Sequence, residues 1–91
     1  MESGRIARVL MDDMMKRFEF CKSEFYEISQ TKDRMLAYQL INDTYTQWDC
    51  LFTIGTELIT DGDILKLHRE FFKNVSKAID TFFIEIGRWE N

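Results

Sequence analysis

The chain has 91 residues, with 12 basic and 16 acidic side chains and a formal net charge of −4. This length allows one small domain. Its apolar fraction of 45% is high enough for a packed core and excludes a chain that is disordered throughout. The negative charge disfavours a nucleic-acid-binding domain. The absence of proline and the presence of only four glycines favour long elements over a turn-rich β-sandwich.

The beginning of the chain predicts a cytoplasmic protein with an unprocessed start. Arg5 and Arg8 precede an acidic pair, Asp12 and Asp13, whereas a signal peptide needs an uncharged apolar stretch at this place. No stretch of about 18 apolar residues is present, so we expect neither a transmembrane helix nor a membrane partner.

Two polar breaks, residues 29–33 and residues 60–63, divide the chain into three segments of similar length. The first break contains two candidate helix N-caps, Ser29 and Thr31, and the second contains a glycine and a capping aspartate. We predict that the whole chain, 1–91, is a single helical domain. The predicted helices are about 4–29, 32–59 and 63–89.

The first segment carries apolar residues at alternating spacings of four and three, which is the period of a helix with one apolar seam. The seam residues are Ala7, Met11, Met14, Phe18, Cys21, Phe25 and Ile28. The third segment repeats this pattern from Leu65 to Trp89, with His68 at one seam position. Short connections favour antiparallel neighbours, so the predicted fold is an all-α, up-down-up bundle of three long helices with heptad-like seams.

The middle segment fits two structures. A helical seam runs from Tyr38 through Trp48 to Ile59. Residues 44–54, however, are rich in aromatic and β-branched side chains that alternate with a period of two, which favours a short β-hairpin in an α+β fold. The length of the seam favours the helix.

The helical rise predicts which residues lie at the same level of the bundle. Antiparallel pairing places Cys21 opposite Ile41, about nine residues from Cys50, so no disulfide joins the two cysteines. The cysteines also lack the spacing of a zinc site. The same pairing places His68 level with Gly55 and Ala7, where small residues leave room for its ring.

Five basic side chains fall near one end of the predicted bundle. They are a candidate site for a phosphate or a carboxylate, and the alternative is a core histidine flanked by ordinary surface pairs of charges. The candidate anion-binding residues are Arg5, Arg8, Lys66, His68 and Arg69.

The sequence contains no recognisable catalytic motif. It has no phosphate-binding glycine loop, no nucleophile elbow and no paired-histidine zinc motif. We therefore predict no enzyme activity, no catalytic residue, no metal and no cofactor.

Apolar residues are more numerous than one buried face per helix requires. On the first two helices several of them point away from the seam, and Ile84 does so on the third, so a second buried face is expected. Val9 and Ile54 fall at similar levels and are expected to share a patch. The candidate interface residues are Val9, Met15, Phe20, Tyr26, Leu36, Ile54 and Ile84.

These features predict a small protein-binding regulator. It is expected to act as an inhibitor, adaptor or immunity/antitoxin-type protein that occludes a partner protein stoichiometrically, with an anchor such as Phe20 or Trp48. The predicted partners are another protein, a second copy of the chain in a homo-oligomer, or both, and not nucleic acid. Two alternatives stay open: a helical protein or small enzyme that binds a small anion or nucleotide at the basic end, and a self-assembling structural component.

Overall fold

A computed structural model describes residues 2–89 as three α-helices. These are α1 (Glu2–Ser29), α2 (Arg34–Leu58) and α3 (Gly62–Gly87), and each helix contacts the other two. The Cα atoms extend over 50 × 17 × 14 Å. The predicted all-α three-helix bundle is confirmed. The hairpin alternative is wrong, because residues 44–54 lie entirely within α2.

The turn between α1 and α2 ends on an N-cap that the sequence analysis did not select. The Asp33 carboxylate accepts a hydrogen bond from the Leu36 backbone N–H at 3.1 Å. Ser29 is the last residue of α1, and the Thr31 hydroxyl donates to the Ile28 carbonyl. The predicted caps at these two positions are therefore wrong. Lys32 makes the reversal with a φ of 56°, in the left-handed region.

The turn between α2 and α3 is tied to the beginning of α1. Asp61 is the N-cap of α3 and accepts hydrogen bonds from the Asp63 and Ile64 backbone N–H groups. The Ser3 hydroxyl oxygen accepts from the Thr60 N–H at 3.1 Å and from the Asp61 N–H at 3.3 Å. One serine thus satisfies two backbone donors that the helix ends leave without partners.

The core follows the seams of all three helices. Trp48 is completely buried, and its indole N–H donates to the Met14 carbonyl at 3.2 Å. This bond fixes the register of α1 against α2. Further along the axis the rings of Phe25 and Phe82 stack at 4.6 Å, and Trp89 stacks on Phe25 at 5.5 Å. Aromatic pairs of this kind contribute beyond the apolar area that they bury.

Candidate interaction surfaces

All seven predicted interface residues are exposed in the bundle, but they do not share one surface. The helical rotation of 100° per residue separates the four that belong to α1 into two flanks of that helix. Phe20 and Val9 lie about 120–140° from the buried Met14 direction on one side, and Tyr26 and Met15 lie about 100–120° from it on the other. Ile84 lies on α3, away from both flanks. The exposed fractions of the seven range from 38% at Met15 to 67% at Tyr26.

The first surface, which we call the α1–α2 face, lies on the side of these two helices away from α3. Its position is shown by a groove of about 410 Å³ that side chains of both helices line, among them Lys16 and Phe20 of α1 and Leu40 and Gln47 of α2. The Arg17 guanidinium donates to the Gln47 side-chain oxygen beside this groove. The residues of the α1–α2 face are Val9, Asp13, Lys16, Phe20, Leu36, Leu40, Gln47, Ile54 and Leu58.

The second surface, which we call the α1–α3 face, lies on the opposite flank of α1. The α3 side is identified by Phe18 and Phe25 of α1, whose rings stack on Phe82. Three exposed and two half-buried apolar side chains follow one another along this flank. The residues of the α1–α3 face are Met11, Met15, Tyr26, Leu67 and Phe71.

Trp48 is not available as an anchor for a partner. Its side chain is fully buried on the seam of α2, and its only polar atom is bonded to Met14 within the core. The prediction of Trp48 as an anchor is wrong, because Trp48 lies on the seam of α2 that packs into the core. Phe20, the other predicted anchor, is 63% exposed.

The structure does not bring the five basic candidates into one cavity. Arg5 and Arg8 line a pocket of about 370 Å³ whose other residues, Gly4 and Val9, also belong to α1. By helical rotation Arg8 lies on the α3 flank of α1 and Arg69 on the α2 flank of α3, whereas Arg5 and Lys66 point away from both neighbouring helices. The four side chains share a level of the bundle but do not converge on one groove.

His68 is a core residue. It is fully buried, its ring stacks on Phe52 at 5.2 Å, and its Nε2 lies 3.2 Å from the Phe52 carbonyl oxygen. A carbonyl can only accept, so Nε2 carries the proton and donates. The ring occupies the space left by Gly55, as the predicted register requires: a Cβ at Gly55 would lie 2.6 Å from Cε1 of the ring.

The two cysteines are free and differ in environment. Cys21 is buried and Cys50 is exposed. Burial raises the pKa of the Cys21 thiol, and a hydrogen bond with Thr44 lowers it to a smaller extent. A thiol held in its protonated form is a poor nucleophile, so Cys21 has the character of a packing residue.

Some exposed apolar residues were missed by the sequence analysis. Leu58 follows Ile54 by four residues on the same stripe of α2, so its exposure was readable from the spacing. Leu67 lies beside the seam of α3, next to His68, but is 62% exposed. Its exposure shows that the buried stripe of α3 is narrower than the apolar side of the helix.

A cluster of metal ligands and a membrane-spanning helix are both absent from the described part of the chain. Within residues 2–89 no three or more His, Cys, Asp or Glu side chains lie together as a metal site would require. None of the three helices has the length and apolar character needed to cross a membrane. Comparison with protein families, curated proteins and solved structures finds no match to this chain.

Proposed function

We propose that the chain is a non-enzymatic protein-binding regulator that occludes a surface of a partner protein through its α1–α3 face. The observation that carries this proposal is the exposure of Tyr26 and Leu67, at 67% and 62%, on a flank that also presents Met15. Exposed apolar residues are ordinary when scattered. Here the half-buried Met11 and Phe71 accompany Met15 and Leu67, and Tyr26 lies about 16 Å further along the same flank of α1.

The composition of this face suits a protein partner. Tyrosine and methionine are enriched in interfaces. Tyr26 offers a large apolar ring with a hydroxyl that hydrogen-bonds at the rim, and an unbranched side chain such as Met15 adapts to an irregular pocket. The net charge of −4 favours approach to a basic partner at long range.

Occlusion is a mechanism that needs no catalytic group. A rigid bundle presents its anchors without the entropic cost of ordering a loop. Once Tyr26 and Met15 fill two pockets on the partner, about 16 Å apart, the body of the bundle, 50 Å long, covers the surface around them. The inhibitory effect then follows the stoichiometry of the complex.

The test compares two single variants of the tagged chain in cells that naturally produce it. Tyr26→Ser removes an anchor of the α1–α3 face, and Met35→Ser is the matched control, because Met35 is 81% exposed on a different side of α2. We expect a protein recovered in a 1:1 complex with the wild-type chain to be lost with Tyr26→Ser and retained with Met35→Ser. Equal recovery by all three chains would refute the proposed face.

A further inference from the structure

The residue types of the α1–α2 face are spaced symmetrically along each of its two helices. On α1 its residues are Val9, Asp13, Lys16 and Phe20, at spacings of four, three and four. The pattern is apolar, acidic, basic, apolar. Read backwards it is the same, except that the acid and the base change places. The centre of this pattern lies between residues 14 and 15.

The part of the face contributed by α2 has its own centre of symmetry. Leu40 and Ile54 each lie seven residues from Gln47, and Leu36 and Leu58 each lie eleven residues from it. Spacings of four and seven keep all five residues on one stripe of the helix. Gln47 is therefore the midpoint of an apolar pattern with a polar centre.

The two centres lie at the same level of the bundle. Trp48 donates to the Met14 carbonyl, and Arg17 donates to the side chain of Gln47. These contacts place residues 14–15 of α1 beside residue 47 of α2. One two-fold axis that lies in the plane of the face, at right angles to the helices, thus relates each of these two residue patterns to itself.

We propose that a second copy of this chain covers the α1–α2 face around that axis. Each helix then lies antiparallel to its own counterpart. The axis brings Val9 of one copy onto Phe20 of the other, and Asp13 of one copy onto Lys16 of the other, twice per dimer. Leu36 likewise meets Leu58. The arrangement is isologous, which is the commonest symmetry of soluble dimers.

Charge favours this axis over the other possible one. A two-fold axis parallel to the helices would lay α1 on α2 and bring Phe20 onto Asp43 and Lys16 onto Gln47. The antiparallel axis instead pairs Asp13 of α1 with Lys16 at the centre of the face. Lys16 forms no ion pair within residues 2–89, since the ion pairs there are Asp13 with Arg17 and Glu19 with Lys22.

The size of the face is sufficient for a stable dimer. The bundle is 50 Å long and 14–17 Å wide between Cα atoms. The residues of the face run from Leu36 to Leu58, about 33 Å along α2, so each copy offers on the order of 500 Å² and a dimer buries about the 1,000 Å² that a specific interface needs. This proposal does not depend on the α1–α3 face, which stays free for a foreign partner.

Charge reversal at the centre of the face tests the proposal. The readout is whether a mixture of two reversed variants recovers the dimer that each variant alone has lost, and only this symmetry explains such a recovery. Lys16→Glu places two pairs of acids across the axis, and Asp13→Lys places two pairs of bases. An equimolar mixture of these two variants restores opposite charges at both contacts. Lys77→Glu is the matched control, since it reverses an exposed lysine of α3 outside the face.

Sedimentation equilibrium over a dilution series, under reducing conditions, gives the mass of each sample. We expect twice 10.9 kDa for the wild-type chain and for Lys77→Glu. Each variant at the centre should be monomeric, with a dissociation constant raised on the order of 100-fold or more. Their mixture should return to the dimer mass. Circular dichroism verifies that both variants keep their helices.

Three outcomes would overturn the proposal. The first is a wild-type chain that stays at 10.9 kDa at the highest concentration reached. The second is a dimer that either single reversal leaves intact. The third is a mixture of Lys16→Glu and Asp13→Lys that remains monomeric, since two positions that face each other across the axis would regain opposite charges in the mixture.

Discussion

Replacement of Gly55 by alanine should destabilise the bundle strongly, although alanine is the better helix former. The added Cβ would lie 2.6 Å from Cε1 and 2.8 Å from Cδ2 of the buried His68 ring. The ring cannot rotate away easily, because it stacks on Phe52 and donates to the Phe52 carbonyl. Gly55→Ala therefore forces the helices apart or displaces the histidine.

The magnitude follows from three effects. Overpacking a well-filled core costs about 1–3 kcal/mol. Displacing the ring leaves its buried N–H without the Phe52 carbonyl and costs a further 1–3 kcal/mol or so. Alanine returns about 1 kcal/mol through helix propensity. We expect Gly55→Ala to lower the free energy of unfolding by roughly 1–5 kcal/mol, and each kcal/mol lowers Tm by about 4–8 °C in a domain of this size.

Urea denaturation followed by circular dichroism measures the effect, and a second background isolates its cause. In a His68→Ala chain the Cβ meets no ring, so Gly55→Ala should become stabilising by about 1 kcal/mol. Gly87→Ala is the control, because no atom lies within 4 Å of a Cβ at that position. An equal loss of stability in both backgrounds would refute the proposed fit between Gly55 and His68.

Four further predictions test other parts of the fold. Trp48→Phe removes the bond to the Met14 carbonyl and part of a filled core, so it should cost about 2 kcal/mol in urea denaturation; a loss below about 0.5 kcal/mol would contradict that role. Asp61→Ala should cost about 1 kcal/mol through loss of the α3 N-cap, whereas Asp61→Asn should cost little, and equal losses would exclude capping as the cause. In a thiol-reagent titration of the native chain Cys50 should react at once and Cys21 only after unfolding. Because burial raises the pKa of Cys21, the folded chain retains this proton longer, so stability should fall as pH rises above the ordinary thiol value of 9.0, and Cys21→Ala should remove that dependence.

The seams explain why the fold could be predicted from the sequence. Every one of the three segments keeps a helical period over more than twenty residues. The antiparallel pairing of residues at the same level, which follows from that period, predicts that His68 lies beside Gly55. The first turn was harder, because Ser29, Thr31 and Asp33 are all good N-caps. The choice among them depends on where the chain reverses, and Lys32 makes that reversal.

The five basic candidates show which part of a site the pairing of levels does not predict. Pairing by helical rise gives the position of a side chain along the bundle but not its direction around the bundle axis. Arg8 and Arg69 were correctly placed at one end, yet they point into different grooves. Trp48 illustrates the converse: its place on the seam of the middle segment indicates a core position, and its indole N–H donates to the Met14 carbonyl inside the core.

The central claim is that the two flanks of α1 have different occupants, and photo-crosslinking in the producing cells tests it most directly. A photoreactive amino acid at position 26 reports on the α1–α3 face, and one at position 20 reports on the α1–α2 face. We predict an adduct with a foreign protein from position 26 and an adduct of twice 10.9 kDa from position 20. Absence of an adduct at both positions would contradict the claim.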